Sequence, residues 1–232
     1  MIKYLRVKKA VFINRPNRFI ANATVCGERK TVHVKNTGRC RELLVEGCDV
    51  VLSESDNANR KTKYDLIAVY KQRQGKPPLL INMDSKIPND VAEEWLRNGN
   101  LFSIGVSVCR EVKFGNSRFD FYVEDGERKA FVEVKGVTLE NDGIAMFPDA
   151  PTERGIKHIN ELVEAKKQGY EAYILFVVQM KGIYEMRPND ATHKAFGDAL
   201  RNAFKNGVRV LAVDCNVTEQ GIEADKLVPV KI

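Results

Sequence analysis

The sequence predicts a two-domain α+β protein: an N-terminal five-stranded β-barrel, then a C-terminal α/β mixed sheet flanked by helices. Three observations carry this. Residues 1–76 hold five short runs rich in Val, Ile, Phe, Tyr and Thr, separated by turn residues. A Gly- and Pro-containing stretch, Gln74-Gly75-Lys76-Pro77-Pro78, then interrupts the pattern. Beyond it, apolar runs alternate with segments of helical length and period.

The expected barrel strands are Lys3–Ile13, Phe19–Cys26, Lys30–Val34, Cys48–Ser53 and Tyr64–Tyr70. Thr31-Val32-His33-Val34-Lys35 alternates as a half-buried strand does. Turns fall at Asn14–Asn17, Cys26-Gly27, Asn36–Gly38 and Ser55–Asn59. So many short strands in so few residues suit a small OB-like closed barrel, a fold that binds oligonucleotides with one face and its loops. Arg39–Val45 is the expected short helix within it, and residues 74–82 are the expected linker.

In the second domain, residues 83–232, a helix is expected over Asn89–Asn98, with Val91 and Trp95 one turn apart. Strands follow at Val106–Lys113, Phe119–Glu124 and Ala130–Val137. A helix from Thr152 to Gln168 is stopped by Gly169 and capped by Thr152 or Asp149. Tyr170–Met180 reads as a strand buried on both faces, Asn189–Asn206 as a helix, Val208–Val213 as another buried strand and Leu227–Val230 as an edge.

Charge is distributed unevenly. Residues 1–82 carry 17 Lys and Arg against 7 Asp and Glu, a balance of +10, whereas the remainder balances at −4. The asymmetry points the barrel toward a polyanion, with simple solubility as the plain alternative. The five cysteines are odd in number and scattered without a CxxC pair, which argues against a disulfide framework and a structural zinc site. No apolar run approaches the roughly 20 residues of a membrane span, and the first residues lack a secretory signal, so a cytoplasmic protein with no membrane partner is expected.

The chemistry-bearing pattern is Arg118-Phe119-Asp120-Phe121 followed by Phe131-Val132-Glu133-Val134-Lys135. Alternation puts Glu133 and Lys135 on one face, and a hairpin through Glu124–Glu127 would bring Asp120 beside Glu133. Mg²⁺ or Mn²⁺ takes oxygen ligands, here Asp120, Glu133 and the Val134 carbonyl. Such an ion activates water and neutralises charge on an attacked phosphate, with Lys135 placed to assist. The plain alternative is a solvated edge strand with a weak surface ion pair.

These residues resemble the motif of PD-(D/E)XK nucleases, a restriction-endonuclease-like fold, although Phe119 stands where that motif has proline. More of the chain resembles the sugar fermentation stimulation protein A family. The matching segments are Arg18-Phe19, Asn36-Thr37-Gly38, Ser55-Asp56-Asn57 with Arg60-Lys61, Glu111–Gly115, Ser117–Phe121, Glu133-Val134-Lys135 with Val137-Thr138-Leu139, Phe147–Ala150, and Thr152–Gly155 with Lys157-His158. The resemblance implies an OB-like first domain, a nuclease-like second domain and DNA binding; whether members cleave nucleic acid it leaves open.

Further candidates surround this core. Glu111, on the preceding strand, is either a further acidic metal or water ligand of the catalytic set or an exposed strand residue, and Gln179, ending a buried strand, either faces the site or is an ordinary strand end. Arg154 and His158 lie away from the expected apolar face at Ile156, Ile159 and Val163, giving a solvated face, phosphate contacts or a partner for the metal site. Arg15, Arg18, Lys35, Asn36, Thr37, Arg39, Arg41, Arg60 and Lys61 sit in or beside turns where a barrel touches nucleic acid. Phe19 and Tyr64 are read as core residues or as base-stacking aromatics. Three functions fit: a metal-dependent nuclease, a non-cleaving DNA-binding regulatory protein linked to sugar metabolism, and an enzyme of small phosphorylated sugars, which no glycine-rich phosphate loop supports. A homo-oligomer is compatible with all three.

Overall fold

The structure, a computed structural model, describes residues 1–232 except Thr37 and Ala58. Its strands are β1 (Ile2–Lys3), β2 (Val7–Asn14), β3 (Ile20–Val25), β4 (Glu28–Val34), β5 (Asp49–Glu54), β6 (Tyr64–Arg73) and β7 (Lys76–Asn82), followed by helix α1 (Ile87–Arg97). Next come β8 (Ser107–Phe114), β9 (Ser117–Asp125), β10 (Arg128–Val137), β11 (Leu139–Asn141), β12 (Ile144–Phe147) and α2 (Glu153–Lys167). The chain ends with β13 (Glu171–Val178), β14 (Glu185–Pro188), α3 (Asp190–Lys205), β15 (Arg209–Thr218) and β16 (Gly221–Leu227).

Strands β4-β3-β2-β5-β6 form the expected OB-like barrel, closed by parallel pairing of His33 with Asp65 and Val34 with Leu66. Alternation along β3 and β4 sends Ala21, Ala23, Val25, Val32 and Val34 inward, where they meet Val50, Leu52, Leu66 and Val69. The second domain is a seven-stranded mixed sheet ordered β1-β16-β15-β13-β10-β9-β8. Helix α1 covers one face, where Val91 and Trp95 meet Phe121, Val132 and Leu175. Helices α2 and α3 cover the other, over Phe119, Phe131, Ile174 and Phe176.

Several expectations need correction. Residues 74–82 are not a linker: β7 pairs with β6 around Gly75, which turns at φ +68°. Pro77 and Pro78 are tolerated because they fall at a register shift between the pairs Arg73–Lys76 and Lys71–Leu79, on the sheet's outer strand. Arg39–Val45 forms a hydrogen-bonded turn rather than a helix; Leu44 N–H donates to the Cys40 carbonyl at 2.9 Å, and Cys40 itself has a left-handed φ of +45°. The run expected from Lys3 breaks at Arg6, also left-handed, so that β1 joins β16 of the second domain while β2 begins the barrel. A small sheet, β11-β12-β14, was not anticipated, because its strands have only three or four residues.

The two domains share one core. Barrel residues Val34, Leu66 and Val69 belong to the same apolar cluster as Val137, Met180 and Ile183. A polar seam reinforces it: the Gln179 Nε2 donates to the Asn82 Oδ1 at 3.0 Å and the Asp84 carbonyl at 3.1 Å, and Lys71 Nζ reaches the buried Glu140 at 2.6 Å. Phe119, fully buried against Phe114 and Phe131, anchors the strand carrying Asp120. Phe119→Ala should cost about 3–5 kcal/mol in urea unfolding, as large-to-small core changes do; a loss under about 1 kcal/mol would show that this packing does not hold β9.

Candidate carboxylate site

The ladder between β9 and β10 ends at the pair Val132 and Phe121. One residue further, where Asp120 stands opposite Glu133, the strands part. Asp120 fills the gap: its Oδ2 accepts from the Val134 backbone N–H at 2.7 Å, and its Oδ1 accepts from Asn89 Nδ2 at 2.8 Å. In an extended strand a residue's N–H and C=O leave by the same edge, so the Val134 carbonyl faces the Asp120 side too.

Glu133 is almost wholly buried. Its Oε1 accepts from Lys135 Nζ and from His158 Nδ1, the latter at 2.5 Å. Arg154 Nε donates to His158 Nε2 at 3.3 Å, so the ring proton sits on Nδ1 and points at Glu133. The second carboxylate oxygen, Oε2, is buried without a hydrogen-bond partner among the described residues. A buried anionic oxygen lacking a donor is costly, and satisfaction by a cation removes that cost.

The electrostatics follow the geometry. Burial pushes the Asp120 carboxyl above the ordinary aspartate range, and the neighbouring Glu133 charge adds to this against the Val134 N–H. Burial would raise Glu133 as well, but the His158 hydrogen bond and the Lys135 charge hold it below the usual range. The pair therefore divides into one easily ionised carboxylate and one that resists ionisation. Among the described residues no three His, Cys, Asp or Glu side chains form a complete ligand set. Two carboxylates with one backbone carbonyl, water and substrate completing the shell is the arrangement that Mg²⁺ tolerates.

The structure thus joins Asp120, Glu133, Val134, Lys135 and His158, and places Arg154 at their rim. His158 is buried rather than solvated, because the buried stripe of α2 runs Gly155, His158, Leu162 and Ala165 alongside Ile159 and Val163. Glu111 falls in register with Asp120, between the pairs Arg110–Phe121 and Val112–Phe119, but its left-handed φ of +57° directs it outward. It is exposed, with Arg118 3.8 Å away. Gln179 is also not at the carboxylates; its amide nitrogen is committed to Asn82 and Asp84, and its Oε1 lies against Gly136. There it lines a cavity of about 130 Å³ with Asn36, Ser85, Thr138 and Asp149. Asn89 was missed: a polar residue in the first turn of a helix carries no sign of which distant carboxylate it will meet.

The barrel candidates separate into two groups. Arg15 directs four donors at the carbonyls of Arg18, Asn36, Gly38 and Arg39, shaping the loop from within while lining the groove of Arg18, Arg39 and Arg41. Arg60 is held by Asp65 in a bidentate pair, and Lys35 by the buried Asp84. Arg18, Arg39 and Arg41 are exposed around a groove completed by Ala150 and Pro151. Lys61 is exposed beside Lys8, Lys30 and Lys63 at a separate hollow. Asn36 accepts from the Gly38 N–H at 2.8 Å, and Thr37 lies outside the described residues. Tyr64 is buried as a core residue, whereas Phe19 is 55% exposed.

Asp120's raised value has a signed consequence for stability. Between the unfolded aspartate value near 3.9 and the higher folded value, the native state holds the extra proton, so stability falls as pH rises through that window. Asp120→Asn removes this penalty. Without divalent metal its stability relative to the parent, measured by urea unfolding, should improve as pH rises from about 4 to 7. A difference independent of pH would contradict the assignment.

Comparison with known proteins places both halves. Residues 13–76 match the family model described as the SfsA N-terminal OB domain, and residues 86–221 match the sugar fermentation stimulation protein RE domain. A sugar fermentation stimulation protein homolog from Desulfitobacterium hafniense is 55% identical over 231 residues, covering 100% of this chain and 99% of the relative. One from Ruminiclostridium cellulolyticum is 52% identical over 231 residues and covers all of both chains. The structure of Pyrococcus furiosus SfsA, in complex with Ca²⁺, superposes with a TM-score of 0.84 at 24% identity over 100% of each chain, a likeness of fold. No helix is long and apolar enough to cross a membrane among the described residues. On the two domain matches and the full-length relatives, the chain belongs to the sugar fermentation stimulation protein family.

Proposed function

We propose that the protein is a divalent-metal-dependent phosphodiesterase acting on nucleic acid, most naturally DNA. The observation that carries this reading is the partnerless, buried Glu133 Oε2 beside Asp120, whose ionisation is disfavoured by both burial and the Glu133 charge. Those two carboxylates and the Val134 carbonyl would hold Mg²⁺ or Mn²⁺. When bound, such an ion supplies Lewis acidity toward a phosphoryl oxygen and lowers the pKa of water. The Pyrococcus furiosus protein of the same fold is described with Ca²⁺, another oxygen-seeking ion.

The chain's own residues supply the rest. Asn89 and the Val134 N–H fix Asp120 in one rotamer, so little reorganisation is needed on binding. His158 and Lys135 hold Glu133 ionised by engaging a single oxygen. Lys135, part-exposed, presents an ammonium beside the carboxylates where charge on an attacked phosphate would develop. Arg154, exposed above His158, offers a guanidinium to the phosphate backbone. The +10 balance of the first 82 residues and the arginine groove would retain the polymer.

A second reading, a DNA-binding regulatory protein without cleavage, is favoured by the groove, which depends on neither carboxylate. Calorimetric titration with Mn²⁺ should show Glu133→Gln binding at least about tenfold more weakly than the parent; equal affinity would remove the metal site. Lys135→Ala should lower Mn²⁺-dependent cleavage by roughly 10²–10³-fold while leaving DNA affinity nearly unchanged. Binding without cleavage by the parent, under any divalent metal and with any nucleic acid, would select the second reading.

A further inference from the structure

Glu133 is recessed, with Asp120 half-buried beside it, and that recess bears on the form of nucleic acid able to reach the pair. Glu133 is 2% exposed and His158 6%. In a duplex the phosphates are fixed on the surface of a stiff rod, with a persistence length of about 150 base pairs. A single strand bends at every nucleotide and can carry a phosphate into a recess.

The barrel offers a feature suited to the same strand. Phe19 is among the chain's most exposed aromatic residues, at 55%. Asn17 Oδ1 accepts from its backbone N–H at 2.9 Å, which holds the turn that presents the ring. Its neighbour Arg18 lines the groove with Arg39, Arg41 and Pro151, and the groove's lining contains no carboxylate. An exposed ring in water has no packing reason to be phenylalanine, but it offers a face on which any base can stack. Paired bases within a duplex are already stacked and do not present that face.

The groove also leads toward the recess. Ala150 and Pro151 form one wall, and the next residue, Thr152, caps α2 by accepting from the Gly155 N–H at 3.1 Å. From Thr152 to His158 is about 9 Å along the helix axis, at 1.5 Å per residue. Arg154 lies between them. Arg154, packed on His158, is therefore the cation between the barrel groove and Glu133, while the exposed Glu153 of the same turn pairs with His193. We propose that the protein takes unpaired, single-stranded nucleic acid in this groove, stacks a base on Phe19 and directs the strand along α2 to the carboxylates. This deepens the reading above and rests on it only for the cleavage step.

The test uses a fluorescently labelled 20-nucleotide strand and the blunt duplex of the same sequence, by anisotropy at one fixed salt concentration with chelator present. The parent should bind the single strand more tightly. Phe19→Ala should weaken that binding roughly tenfold or more and leave duplex binding unchanged, and Phe19→Tyr should restore it. Because Phe19 is exposed, its loss does not open the core. Equal affinity of the parent for both forms, or a Phe19→Ala variant that binds the single strand as the parent does, would overturn the proposal. Repeating the comparison as cleavage in Mn²⁺ separates the two ideas. Phe19-dependent single-strand binding with no cutting keeps this inference and removes the nuclease reading. Equal cutting of strand and duplex, untouched by Phe19→Ala, removes this inference and keeps the nuclease reading.

Discussion

Two carboxylates are brought together where β9 and β10 separate, and much of the second domain is arranged around that juncture. Asp120 can face Glu133 only because the ladder stops at Val132 and leaves the Val134 N–H for Asp120 to take. Left alone, this is an unfavourable arrangement, with a buried acid beside a half-buried one and one oxygen unpartnered. Proteins keep such local cost where function requires it. The surrounding residues relieve part of it without neutralising it: His158 and Lys135 share Glu133 Oε1, Asn89 shares Asp120 Oδ1, and Oε2 remains for a cation.

The barrel matters to this site through its fixed placement. β7, the Asn82–Gln179 hydrogen bonds, the Lys71–Glu140 pair and the Lys35–Asp84 pair bind it to the second domain, and β1 crosses back to extend the larger sheet. Across this seam the barrel loop at Gly38 lies against Asp149, three residues before the cap of α2. A Cβ on Gly38 would come within 2.5 Å of the Asp149 carboxylate, so a larger residue there would have to displace that side chain. The arginine groove thus keeps a constant relation to the carboxylates, as delivery of a flexible polymer requires.

Much of this was legible in the sequence. Period-two alternation revealed the barrel strands, and the long apolar run revealed β13, because burial dictates residue type there. Asp120, Glu133 and Lys135 were legible because hairpin spacing and alternation are local rules. What stayed hidden depends on long-range contact. A guanidinium meeting four carbonyls looks like any turn arginine until the loop around Arg15 is folded. The burial of His158 depends on which stripe of α2 the sheet covers, a rotation of one position from the apparent apolar face. Pro77 and Pro78 signalled a break because sequence does not reveal which strand will lie outermost.

The most direct measurement is anomalous diffraction from crystals of the protein soaked in Mn²⁺. A single strong peak is expected within about 2.0–2.3 Å of an Asp120 oxygen and of Glu133 Oε2, with the Val134 carbonyl adjacent. A peak bound elsewhere, or a fully ordered site with no peak at saturating Mn²⁺, would contradict the account.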